Sequence, residues 1–241
     1  MDILFITLLV IVALLYASIG HGGASGYLAL MAIFSIDIML MRSSALTLNL
    51  FVAGISFTAY YTGGYFKPKI LLPFITTSIP MAFWGATMEI DPKLYKIVLG
   101  IFLILAISRM LFFRPIENKD IKQPPIYIAL LIGAGLGFFS GMIGIGGGII
   151  LSPILILMGW ANLKQAAAVS AIFIFLNSGA GLIGIFQTGY MVNSQIAIWI
   201  IAAFIGGVIG SFAGSFKFST ERLKYILAFV LLLASIKLMM V

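Results

Sequence analysis

The sequence predicts an all-α, polytopic integral membrane protein built from two inverted homologous repeats. Three observations carry that expectation. Of 241 residues, 62% are apolar and only 9% charged, against about 25% charged in an ordinary soluble domain. Apolar stretches, about ten of them, nearly consume the chain. A glycine-rich motif near the start returns 124 positions later, at Gly144 after Gly20.

The stretches run over 3–19, 27–41, 43–62, 70–88 and 94–113, then 126–140, 149–160, 164–186, 195–216 and 222–241. A spanning helix needs about 20 mostly apolar residues. Two stretches fall short: 27–41 would be about 22 Å long and 149–160 about 18 Å, against about 30 Å of hydrocarbon. Each follows a glycine cluster, so each half is expected to hold one short or re-entrant, Gly-tipped helix. Asp2 stands where a signal peptide would be basic, so 3–19 reads as a resident segment. The hydrophilic run RPIENKDIKQPP, with Pro115, Pro124 and Pro125, is the linker. It divides the chain into an N-terminal transmembrane repeat over 1–113, a cytoplasmic linker over 114–125 and a C-terminal transmembrane repeat over 126–241.

The repeat extends beyond the glycines. Ile19-Gly20-His21-Gly22-Gly23-Ala24 matches Ile143-Gly144-Ile145-Gly146-Gly147-Gly148, and Thr62-Gly63-Gly64-Tyr65 matches Gln187-Thr188-Gly189-Tyr190. Lys93-Leu94-Tyr95-Lys96 and Arg222-Leu223-Lys224-Tyr225 open the last helix of each half.

Charge sets the orientation. With an odd number of crossings per half, ten basic residues share one side: Lys67, Lys69, Arg109, Arg114, Lys119, Lys122, Lys164, Lys217, Arg222 and Lys224. Four share the other: Arg42, Lys93, Lys96 and Lys237. Four crossings per half would split them seven and seven. The positive-inside rule selects the odd count, with inverted halves and both termini outside the cytoplasmic (inner) membrane. Lys237 is expected to snorkel to an interface.

Composition also excludes functions. No cysteine means no thiolate metal site and no Cys nucleophile, and one histidine rules out His-rich metal or haem sites. The net charge of +7 is spread over short loops, so it predicts topology and no nucleic-acid partner. The seven carboxylates lie at or near segment ends, away from the mid-span positions where cation and proton relays sit. No enzyme site and no cofactor are expected.

The glycine tips suggest the chemistry. Non-helical backbone is tolerated at membrane depth only where protein or water satisfies it. Gly20, Gly22 and Gly23, with Gly144, Gly146, Gly147 and Gly148, can expose bare amides there. The helices starting near Ser25 and Ile149 would aim free N–H groups and the positive dipole end inward, which makes a site for an anion without burying a Lys or Arg. A bulky side chain at Gly147 would then block the anion's approach. Thr47 and Asn49 in one half, and Ser170, Asn177 and Ser178 in the other, would line a shared polar cavity. His21 has Ile145 as its counterpart, so imidazole is not required by symmetry. The Gly133, Gly137, Gly141 and Gly206, Gly210, Gly214 series are spaced for helix packing.

These residues resemble the TauE/SafE family of bacterial and archaeal sulfite exporters and sulfonate permeases. Gly144-Ile145-Gly146-Gly147-Gly148, followed by Ser152-Pro153 and Leu155, is similar to that family's glycine stretch with its downstream proline. The first half carries a weaker copy, Gly20-His21-Gly22-Gly23-Ala24. Ala167-Ala168-Val169-Ser170 resembles its Ala-rich segment, with Ser170 alone keeping a hydroxyl. The resemblance implies transport of small sulfur-containing anions such as sulfite or organosulfonates.

The expectation is therefore a secondary transporter for a small anion, working by alternating access. Its substrate would bind at Gly20, His21, Gly22, Gly23, Ser25, Thr47, Asn49, Gly144, Gly146, Gly147, Gly148, Ser170 and Asn177. A passive anion channel and a carrier of small carboxylates are the alternatives. Coupling to H+ or Na+, and assembly as a homo-oligomer, are left open.

Overall fold

The computed structural model describes residues 3–18, 22–112, 121–190, 196–216 and 220–240. They form ten helices, with no strand among the described residues. The first half holds α1 (Ile3–Ser18), α2 (Ala24–Ile33), α3 (Ile38–Thr62), α4 (Pro68–Thr87) and α5 (Pro92–Phe112). The second holds α6 (Ile126–Ile143), α7 (Gly148–Leu157), α8 (Leu163–Gln187), α9 (Ile196–Phe216) and α10 (Thr220–Met239). Judged on the described residues alone, α3, α4, α6 and α8 are long and apolar enough to cross a membrane. Residue 113 and the linker residues 114–120 lie outside the described residues.

Local chemistry sets the helix starts. Asp37 caps α3, its Oδ1 accepting from the Met39 and Leu40 amides at 2.9 and 3.2 Å. Asp91 does the same for α5, accepting from Lys93 and Leu94. Asn162 and Gln165 form a reciprocal capping box on α8. Pro68 opens α4, where its missing N–H is harmless. Both acidic caps lie at helix ends, where the sequence places them.

One boundary differs from expectation. The apolar run 27–41 is two elements: α2 ends at Ile33, and α3 begins at Ile38 after a turn at Phe34–Ser35. Ile36 and Ile38 keep the run apolar across the break, while the Asp37 cap starts a new helix. Arg42, read from sequence as a loop charge, consequently sits inside α3 at 2% exposure. Its Nη2 donates to the carbonyls of Ala86 and Gly141. Lys237 is exposed as expected, and its ammonium donates to Ile33 O at 2.6 Å and Ser35 Oγ at 2.8 Å, closing the end of α2.

The short helices are alike. α2 and α7 have ten residues each, about 15 Å, half the hydrocarbon thickness. Each is preceded by a left-handed glycine, Gly23 at φ 86° and Gly147 at φ 69°.

Small residues fix the packing. Gly133, Gly137 and Gly141 of α6 press on the backbone of Phe74, Ser78 and Ala82 in α4. Residue numbers rise together along that seam, so the two helices run parallel. Gly206 and Gly210 of α9 press on Val10 and Leu14 of α1 in the same sense; the contacts of Gly214 lie outside the described residues. Between these seams α3 and α8 cross. Gly54 faces Phe175, Leu50 faces Gly179 and Leu46 faces Gly181, so numbers rise on one helix as they fall on the other. Leu131, Ile183, Ile201 and Phe229 are among the large apolar side chains left facing outward, as a lipid-contacting surface requires.

Candidate functional site

The two glycine elbows meet at one place, the crossing of α3 and α8. A Cβ placed on Gly22 would lie 3.2 Å from Asn49 Oδ1 and 3.1 Å from Ile174 Cγ2. One placed on Gly146 would lie 2.7 Å from Asn49 Nδ2 and 3.0 Å from Ile174 Cγ2. Asn49 and Ile174 are thus wedged between the elbows. They are also counterparts, 125 positions apart on helices that begin 125 positions apart.

Asn49 is fully buried. Its Nδ2 donates to Ser178 Oγ at 3.3 Å, and its Oδ1 has no hydrogen-bond partner. Rotating the amide by half a turn would let the Ser178 hydroxyl donate to Oδ1 and turn the NH2 toward Gly22. The side chain can therefore present either a donor or an acceptor to the gap.

A cavity of about 10 Å3, about the room of one water, opens beside the first elbow. It is lined by Tyr16, Gly22, Gly23, Ala24, Ser25, Asn49, Ile145, Ile149 and Ile174. Tyr16 Oη and Ser25 Oγ share a buried 2.6 Å hydrogen bond there. The start of α2 points into this space, and the leading N–H groups of a helix lack intrahelical acceptors. On the other side Ile145, Ile149 and Ile174 close it. A three-oxygen anion does not fit in that volume without movement of Ile174 or Asn49.

Of the residues expected at the site, Gly22, Gly23, Ser25 and Asn49 line the cavity, and Gly146 joins them through Asn49. The others are placed elsewhere. Gly148 is covered by Ile174, and Gly147 faces Phe173 and the Leu136 carbonyl. Gly144 closes α6 with φ 89° and lies against Arg42. Thr47 Oγ1 is bound to Ser43 O at 2.7 Å within its own helix. Ser170 Oγ pairs with Ser152 Oγ at 2.7 Å, tying α7 to α8. Asn177 donates to Phe173 O and keeps a buried, unpartnered Oδ1, but does not line the cavity. Gly20 and His21 lie outside the described residues.

Sequence reasoning overlooked Tyr16, Ile174 and Arg42. Tyr16 could have been found by its place just before the glycine cluster. Ile174 carries no polar signal. Arg42 was hidden by its nearness to a helix end.

Lipid-facing helices surrounding two buried, broken-helix elbows define a membrane-embedded transporter. The chain belongs to the sulfite exporter TauE/SafE family, whose model matches residues 4–238. It is 34% identical to a probable membrane transporter protein, y4hK, of Sinorhizobium fredii over 235 residues, 95% of this chain and 94% of that one. It is 30% identical to the probable membrane transporter protein YunE of Bacillus subtilis over 200 residues, 74% of this chain and 71% of the relative. No solved structure matches it.

Proposed function

We propose that the protein is a secondary transporter of a small oxyanion, a sulfur oxyanion or organosulfonate of the sulfite type. It carries that anion across the cytoplasmic membrane by alternating access. The observation that carries this reading is the convergence of both glycine elbows on Asn49. There, the leading amides of α2 and an invertible side-chain amide share a small space walled on its other side by Ile145, Ile149 and Ile174. The family takes its name from sulfite export, which supports the sulfur-anion class.

The proposed route uses the chain's own groups. The start of α2 offers N–H donors and the positive end of a helix dipole. Asn49 turns its NH2 toward the anion, and Tyr16 and Ser25 offer hydroxyls. Ile174 withdraws to admit the anion and returns to separate the two sides. No cofactor takes part, and the lipid bilayer and the anion are the partners.

The antiparallel crossing of α3 with its counterpart α8 supports inverted halves, the plan in which one site is presented to each side in turn. Removing buried Arg42 from the loop charges leaves ten basic residues against three. That supports a cytoplasmic linker and both termini outside.

The test is counterflow in proteoliposomes of the purified protein. Radiolabelled sulfite, thiosulfate, sulfoacetate and simple carboxylates would be offered with and without pH and sodium gradients. Saturable counterflow of a sulfur anion is expected; conductance without counterflow would make it a channel, and carboxylate preference would reassign the cargo. The gradient arms identify the coupling ion.

A further inference from the structure

Arg42, Asn49 and Ser56 lie seven residues apart on α3, close to two helical turns each, and so fall along one face over about 21 Å. All three are buried, at 2%, 0% and 2% exposure. Each holds a polar atom with no hydrogen-bond partner: Arg42 Nε, Asn49 Oδ1 and Ser56 Oγ. Buried polar atoms are nearly always paired; three of the nine unpaired side-chain atoms among the described residues fall on this one line, a track that a polar occupant would complete. The counterpart line on α8 is Ala167, Ile174 and Gly181, and none of these has a polar side chain. The track belongs to one half only.

Its charge sits at one end. Arg42 Nη2 donates to Ala86 O at 2.9 Å and Gly141 O at 3.4 Å, carbonyls in the last turns of α4 and α6. Helix ends of that polarity hold a cation but offer about half a charge each, and no carboxylate pairs with Arg42 among the described residues. Beside it, Tyr95 Oη is bound to Ile143 O at 3.0 Å. A Cβ on the elbow residue Gly144 would lie 3.0 Å from Arg42 Cα. The two helix ends together offset about one charge, yet they leave the buried Nε of Arg42 without an acceptor, which is costly. An oxyanion supplies a formal counter-ion and an acceptor for Nε.

We propose that Arg42 is a second oxyanion-binding position, about 10 Å along α3 from the elbow gap, and that it makes the two faces of the carrier unequal. An anion arriving from the face that bears Asp37 meets the guanidinium; one arriving from the opposite face meets the Ala167 counterpart. The proposal rests on the transport reading above, and its test separates the two.

Sulfite transport is measured in proteoliposomes sorted by orientation, for wild type, Arg42→Gln and Arg42→Lys. In wild type the KM from the Asp37 face is expected to be lower by about tenfold, the scale of one charge-assisted hydrogen bond. Arg42→Gln raises that KM about tenfold and abolishes the difference between faces, while Arg42→Lys stays within about threefold of wild type. In both variants kcat moves less than KM. Equal KM on both faces of wild type, or variants that lose thermal stability with KM unchanged, would make Arg42 a helix staple and overturn the proposal. Folded wild type that moves no sulfite, thiosulfate or organosulfonate overturns the transport reading and this one with it. If Arg42→Gln is not recovered folded, the wild-type face comparison and Arg42→Lys decide.

Discussion

Asn49 of α3 and Ser178 of α8 join the two halves of the chain through one side-chain bond, Nδ2 donating to Oγ over 3.3 Å. The bond lies between the two glycine elbows, with Gly22 on one side of Asn49 and Gly146 on the other. Any motion that opens the gap must stretch or exchange it.

Asn49→Ala is expected to lower sulfite uptake at least about tenfold, the loss of one strong hydrogen bond to a charged ligand. The same change strands the buried Ser178 hydroxyl, at a stability cost of about 1–3 kcal/mol. Uptake in proteoliposomes and thermal unfolding in detergent measure the two effects. Undiminished uptake would remove Asn49 from the site.

Gly22 is the better place to plug the gap. Its backbone is not left-handed, and a side chain there would grow directly into Asn49 and Ile174. Gly22→Val is expected to block uptake while the protein remains folded and monodisperse. Gly147→Leu, the choice suggested by sequence, puts a side chain at φ 69° against Phe173; strain of about 1–3 kcal/mol is expected from the backbone alone. Gel filtration and uptake of both variants, side by side, separate blocking from misfolding.

Ile174 is 4% exposed and closes the gap from the second half. Ile174→Ala is expected to cost about 2–5 kcal/mol of stability and to allow anion leak that does not saturate. Flux in sulfite-loaded vesicles would show it. Leak-free, normally saturable transport would assign the barrier elsewhere.

The helix seams give a control pair. A methyl on Gly141 would collide with the Ala82 carbonyl, whereas one on Gly135 meets nothing within 4 Å. Gly141→Ala is expected to reduce the yield of folded protein severely, and Gly135→Ala to leave it unchanged, by fluorescence-detected gel filtration. Equal yields would remove the seam from the stability argument.

Much of the fold was legible because apolar length and glycine spacing are carried by local sequence. The ten stretches correspond to ten helices, and the Gly133–Gly141 series meets a neighbouring helix as its spacing suggests. The α2–α3 boundary escaped because Ile36 and Ile38 keep hydropathy high across a break made by a single Asp cap. At the site, Asn49 was readable as a polar group in an apolar run. Thr47 was equally polar, yet its hydroxyl is satisfied by Ser43 O one turn back, a distinction composition cannot make. Ile174 acts through its bulk at a place only the crossing of α3 and α8 defines. Arg42 was miscounted because a charge four residues inside a helix and one in a loop look alike without neighbours.

The parallel glycine seams join α4 of one half to α6 of the other, and α9 to α1. Each half thus lends an arm to its partner, as in a domain-swapped homodimer whose subunits have been fused end to end. A fragment ending at the linker would leave α4 without its groove and α1 without its cover. The two pieces should therefore be recoverable only when made together, and the bodies that shift during transport would be composites drawn from both ends of the polypeptide.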